Sequence, residues 1–141
     1  MRYTVVAVGR IRSAALRTAC DEYLSRLRHY AKIDEREVKD EARLSEAIDG
    51  ATRLVALSRA GEPWSSPELA QRTARWDLEG REVAFAIGGA DGLPRALVER
   101  AEAVWSLSAM TFPHELARVL VLEQLYRAFT IRRGEPYHRG G

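Results

Sequence analysis

Val83-Ala84-Phe85-Ala86-Ile87-Gly88-Gly89-Ala90-Asp91-Gly92 is the most informative stretch of this chain. Five apolar residues without polar alternation read as a strand buried on both faces, a pattern typical of parallel sheets covered by helices. The glycines turn the chain, and Leu93 to Val104 reads as a helix. The same order of signals recurs upstream. Thr4 to Val8 is an apolar run ended by Gly9, and Ser13 caps a helix in which Leu16, Cys20, Tyr23, Leu24 and Leu27 recur at helical spacing. Leu54 to Leu57 is another buried strand, and Ala60-Gly61-Glu62-Pro63 reads as a loop. Ser66, as a cap before Pro67 and Glu68, opens a helix that ends near Gly80. Arg36 to Lys39 reads as a second strand, and the polar segment Asp40 to Gly50 as a weak helix. Downstream, Trp105 to Ala109 is a short strand, and Pro113 opens a long helix to about Ile131. Strands alternating with helices predict a single α/β domain over residues 1–141, with a mainly parallel sheet and a ligand at the carboxyl ends of its strands.

At 141 residues, 46% hydrophobic and 30% charged, the chain has the profile of a globular domain that can hold a core without disulfide or metal staples. Its longest apolar runs fall far short of the ~18 residues a membrane helix needs. The apolar stretch at the N-terminus is too short for a signal peptide, so a cytoplasmic location is expected. The lone Cys20 lies on the apolar stripe of its helix and reads as a packed core thiol. The formal charge is only +2. All of that excess lies in the last ten residues, where Arg132, Arg133 and Arg139 face Glu135 alone. A balance this small excludes a strongly basic protein that coats nucleic acid.

The last helix, projected at ~100° per residue, places Val119, Val121, Leu122, Leu125, Tyr126, Ala128 and Phe129 on one half of its circumference, with Arg118 and Glu115 among them. Leu116 and Leu120 fall on the other half beside Glu123, Gln124 and Arg127. That mixture predicts packing on two sides, one of them against a partner such as a second copy of the chain. Arg118 then either pairs with Glu115 in a buried position or meets the partner.

The residues also limit the chemistry. His29, His114 and His138 have no partners at metal-ligand spacing, and one cysteine does not make a zinc site, so no metal is expected. Neither a phosphate-binding loop ending in Lys-Ser or Lys-Thr nor a Gly-x-Ser-x-Gly elbow is present. The glycines at 88, 89 and 92 do not have dinucleotide spacing, but two adjacent glycines expose backbone amides at the end of a central strand. Trp105-Ser106-Leu107-Ser108-Ala109-Met110-Thr111-Phe112-Pro113-His114 offers backbone donors and acceptors within an apolar wall, as an adenine ring and a thioether require.

Ile87-Gly88-Gly89-Ala90-Asp91-Gly92, Trp105-Ser106-Leu107-Ser108, Phe112-Pro113-His114, Leu125-Tyr126-Arg127-Ala128 and Pro136-Tyr137-His138-Arg139 together closely resemble the RlmH family. Members of that family methylate N3 of a pseudouridine in large-subunit ribosomal RNA. The resemblance implies an α/β SPOUT fold with a C-terminal trefoil knot, a homodimer, and S-adenosylmethionine as cofactor. It places the cofactor against Leu57, Gly88, Gly89, Leu107, Ser108, Ala109, Met110, Thr111 and Phe112, and places Tyr137, His138 and Arg139 beside the reacting centre. His138 is the side chain whose ordinary pKa suits a base near neutrality, with a positioning role as the alternative. Arg139 would stabilise the developing anion or hold a phosphate, and Tyr137 would stack on the base or hydrogen-bond to it. Glu123 and Arg127, spaced i, i+4, are either a simple ion pair or substrate contacts, and His114 either caps its helix or belongs to the cofactor or substrate site. The chain departs from the family in a shorter, less lysine-rich segment from Tyr30 to Arg53, in Ser58 where relatives carry Asp, and in the added Gly140 and Gly141. Two other readings stay open on sequence: a knotted methyltransferase acting on another RNA such as tRNA, and a non-catalytic nucleotide- or RNA-binding module.

Overall fold

The computed structural model describes residues 1–138; the side chain of His138 and residues 139–141 lie outside the described part. Strands β1 (Arg2–Val8), β2 (Lys32–Val38), β3 (Arg53–Glu62), β4 (Val83–Ile87) and β5 (Ala103–Trp105) alternate with helices α1 (Ala14–Leu27), α2 (Glu41–Ala47), α3 (Ser66–Glu79), α4 (Arg95–Arg100) and α5 (His114–Arg132). A short 3-10 turn, Pro136–His138, follows α5. The strands form one parallel sheet in the order β2-β1-β4-β3-β5.

The period-2 geometry of a strand divides the core between the two faces. Tyr3, Val5 and Ala7 of β1, Val55 of β3, and Val83, Phe85 and Ile87 of β4 face one side, where α1, α3 and α5 cover them. Val6, Leu54, Ala84 and Ala86 face the other, under Leu44 and Ile48 of the α2 segment and Leu97 of α4. All five residues of β4 are buried, because the strand has neighbours on both edges and helices on both faces. Its apolar run was therefore a faithful signal.

Local capping explains where the helices start. Ser13 Oγ accepts the amide N–H of Leu16 at the head of α1. For α3 the cap is Ser65 rather than Ser66: Ser65 Oγ accepts the N–H of Glu68, with Ser66 and Pro67 already in the first turn. Gly80 closes α3 in the left-handed conformation at φ 71°.

Two segments differ from their sequence reading for a shared reason. Ala60, Gly61 and Glu62 continue β3 instead of forming a loop, and β5 occupies 103–105 instead of 105–109. The late part of β3 folds against β5, with Glu62 opposite Trp105 and the N–H of Ser106 donating to Glu62 O at 2.8 Å. That approach needs Gly61, since a Cβ there would stand 2.5 Å from Val104 O. The helix read over 93–104 shrinks to α4 accordingly.

The two-sided character of α5 comes from its place between α1 and α3 on one face of the sheet. Leu122, Leu125 and Ala128 are wholly buried, while Leu116 and Leu120 are half-buried. Burying each such leucine contributes about 1.5–3 kcal/mol. Arg118 is 1% exposed, and its partners are not Glu115. Its guanidinium pairs with Glu35 and Glu37 of β2 and donates to Gly9 O at 2.9 Å. Glu115 instead accepts the N–H groups of Arg12 (2.9 Å) and Ser13 (3.1 Å), which tie the start of α5 to the start of α1.

Candidate active site

The parallel sheet leaves a cleft at the carboxyl ends of β3 and β4, closed on the third side by residues 107–112 and the first turn of α5. The β4 turn is shaped by its glycines. Gly92 N–H donates to Gly89 O at 3.0 Å, Gly92 adopts φ 75°, and a Cβ on Gly88 would lie 2.5 Å from the carbonyl carbon of Gly92. No side chain at 88 or 89 therefore stands between the backbone and a ligand in the cleft.

The opposite wall is held by Ser106, which is buried. Its hydroxyl contacts Arg59 O (3.1 Å) and Ser108 O (2.9 Å), and Ser108 Oγ accepts the N–H of Met110 at 3.0 Å. These bonds fix the loop while Met110, 72% exposed, lies at the rim. Large apolar groups exposed beside fixed backbone amides make a surface suited to a ligand with an apolar ring and a polar edge.

Of the residues singled out for a cofactor, Leu57, Gly88, Gly89, Leu107, Ser108, Met110, Thr111 and Phe112 all line this cleft. Ala109 is exposed on the same loop but is not part of the lining. His114 lines it too, placed there by Pro113 and the start of α5. Ser58, Arg59, Ile87, Gly92, Leu93 and Ala117 complete the walls, with Arg59, Leu93 and Ala117 carrying no site signal in the sequence. Ser58, at the position where the resemblance leads one to expect Asp, turns its hydroxyl onto the N–H of Ala60 at 3.2 Å. Glu41, the first residue of α2, reaches the back of the glycine turn, its Oε1 being 3.3 Å from where a Cβ on Gly89 would stand. Helical spacing alone could not have shown that.

The remaining candidates gather elsewhere, on the second half of α5. Glu123 pairs with Arg127 at 2.8 Å, accepts the Tyr137 hydroxyl at 2.9 Å and accepts from the Gln124 amide at 2.9 Å. Tyr137 also lies 3.3 Å from the hydroxyl of Tyr23, edge-on to Tyr126 at 4.7 Å, with the Arg127 guanidinium 5.0 Å from its ring centre. Burial, followed by the hydrogen bonds to Tyr23 and Glu123, pushes the Tyr137 phenol well above its ordinary pKa, so it stays protonated. Tyr30 donates to Glu135 at 2.6 Å, and that bond, aided by burial, raises its pKa to about 12. Tyr23, Tyr30 and Tyr126 thus support the tail, a role that the helix-stripe positions of Tyr23 and Tyr126 did not reveal. Tyr137 is brought to Glu123 and Arg127, whereas the side chain of His138 and all of Arg139 lie outside the described residues.

Within one chain the two groups stay apart. His114 and Glu123 are separated along α5 by about 14 Å at 1.5 Å per residue. Among the described residues, no group of three or more His, Cys, Asp or Glu is placed to hold a metal ion, and no helix is long and apolar enough to cross a membrane.

Comparisons with known proteins identify the family of the chain. A curated relative from Anaeromyxobacter sp. (strain Fw109-5), named "Ribosomal RNA large subunit methyltransferase H", is 46% identical, with 99% of this chain and 100% of that protein covered. A relative of the same name from Polynucleobacter asymbioticus is 40% identical over 99% of both chains. Among solved structures, a probable methylase family protein from Haemophilus influenzae Rd KW20 aligns with a TM-score of 0.63 at 12% identity, over 96% of this chain and 69% of that one. A probable methyltransferase from Bordetella pertussis Tohama I aligns at 0.60 and 16%, over 91% of this chain and 96% of that one. These two likenesses concern the fold. The family model described as "Predicted SPOUT methyltransferase" matches residues 1–138, and the chain belongs to that SPOUT methyltransferase family.

Proposed function

We propose that this protein is a cytoplasmic homodimeric methyltransferase that uses S-adenosylmethionine to methylate N3 of a pseudouridine in large-subunit ribosomal RNA on the assembled particle. The observation that carries the reading is the cleft, which joins a side-chain-free glycine turn to a fixed apolar loop at the carboxyl end of a parallel sheet. The names of relatives matching almost the whole chain support the choice of RNA.

The cleft residues fit the cofactor. Leu57, Leu107, Met110 and Phe112 would flank an adenine ring, and the 88–89 backbone would lie against its polar parts. S-adenosylmethionine supplies an electrophilic methyl group when bound. Methylation at N3 requires the pseudouridine to give up its N3 proton, which a group of this chain has to receive. His138 is assigned to accept that proton, and Arg139 to face the charge that develops on the imide. Tyr137, held neutral, acts as a hydrogen-bonding and stacking surface, and Glu123 and Arg127 hold it in place.

The separation of cleft and tail along α5 supports the dimer. One complete site would combine the cleft of one subunit with the Tyr137-His138-Arg139 tail of its partner. Thermal unfolding tests the cofactor assignment. S-adenosylhomocysteine at a hundred times its Kd should stabilise the fold by about 2.7 kcal/mol, while NAD should leave the midpoint unchanged. No shift with S-adenosylhomocysteine would overturn the assignment.

A further inference from the structure

We propose that Arg10, Arg12, Lys39 and Arg59 form the surface that holds ribosomal RNA phosphates at the mouth of the cleft. The inference rests on the reading of the chain as an RNA methyltransferase and adds where the RNA backbone is gripped. Gly9 N–H donates to Val38 O at 2.8 Å, so the loops carrying Arg10 and Lys39 leave the sheet side by side at its carboxyl edge. Arg59 lines the cleft itself. The backbone N–H of Arg12 is bonded to Glu115, the neighbour of the cleft residue His114.

All four side chains are exposed, and among the described residues none has a carboxylate within 4.0 Å. Elsewhere Arg2, Arg43 and Arg95 are paired, while Lys32, Arg36, Arg75, Arg100 and Arg133 are also exposed with no carboxylate within 4.0 Å among the described residues, so what sets the four apart is their place beside the cleft. Two carboxylates of this edge are engaged by backbone N–H groups. Asp40 accepts the N–H of Arg43, Glu115 accepts those of Arg12 and Ser13, and Glu41 faces Gly89, which leaves Asp91 exposed. A chain of net charge +2 attracts RNA weakly at long range, so the grip has to come from cations left free near the site of transfer. Guanidinium groups suit this role because their planar donors fit phosphate oxygens.

The test is equilibrium binding of large ribosomal subunits at several salt concentrations, without methyl transfer. R10E/K39E should weaken binding at least about tenfold and flatten the slope of log affinity against log salt by roughly 0.7 for each phosphate no longer neutralised. K32E/R75E makes the same charge change at two other exposed, unpaired cations, and should leave binding within about twofold and the slope unchanged. S-adenosylhomocysteine affinity should be unchanged in both. Where a reversal fails to fold, R10Q/K39Q against K32Q/R75Q makes the same comparison. Unaltered binding by the first pair, or equal weakening by both, overturns the proposal. Absence of S-adenosylhomocysteine binding by the unmodified protein would instead count against the cofactor reading, and the two failures remain distinct.

Discussion

His138 carries the sharpest prediction at the scale of single residues. His138→Ala should lower turnover by about a hundredfold or more, as loss of a general base does, with cofactor affinity unchanged. Equal losses of both would reduce it to a structural role. Gly88→Ala acts on the other half of the site: the added methyl meets the Gly92 backbone, which has no flexible end to move aside. It should cost roughly 1–3 kcal/mol and weaken S-adenosylhomocysteine binding, both measurable by melting with and without ligand. Arg118→Met should destabilise by roughly 1.5–3 kcal/mol, because Glu35, Glu37 and Gly9 O lose a buried charged donor while Arg17 stays beside both carboxylates; urea unfolding reads this directly. The glycine turn was legible in the sequence because adjacent glycines have few other uses at a strand end. The partners of Arg118 were not legible, since β2 lies more than eighty residues away and no local spacing connects it to α5.

Among the elements, α5 does the most positioning. Its first turn lines the cleft, its middle is packed between α1 and α3, and its second half supports the tail. Glu115 joins it to α1 by accepting the N–H groups of Ser13 and Arg12, and these bonds hold its carboxyl below the ordinary value. A lowered carboxyl contributes stability above its unfolded pKa and loses it as pH falls through the folded value. Glu115→Gln should therefore flatten the fall in melting temperature on acidification below the ordinary carboxylate range, about pH 4.3; an unchanged acid limb would contradict the role. The long reach of α5 was legible from its apolar pattern, but what covered its second side was not. Periodicity reports that a face is buried, and α1, α3 or another subunit would leave the same pattern. The late part of β3 was missed because Gly61 signals a turn locally, while its use here is to admit the Val104 backbone.

For the whole molecule, family membership implies a trefoil knot in the C-terminal part. General topology rules would not have suggested a knot; only the resemblance did. If cleft and tail come from different subunits, mixing Gly88→Ala with His138→Ala should restore activity in mixed dimers, to about a quarter of the wild-type rate with random pairing. No restoration would place both halves of the site in one chain. The near-neutral charge gains meaning at this scale, since many surface cations are cancelled by paired carboxylates while Arg10, Arg12, Lys39 and Arg59, beside the cleft, have none within 4.0 Å among the described residues. The proposed activity is put to its decisive trial by incubating the protein with methyl-labelled S-adenosylmethionine and large ribosomal subunits, free ribosomal RNA or tRNA, then mapping the label. Methyl on N3 of one pseudouridine in the particles is the expected outcome; label confined to tRNA, or none at all, would contradict it.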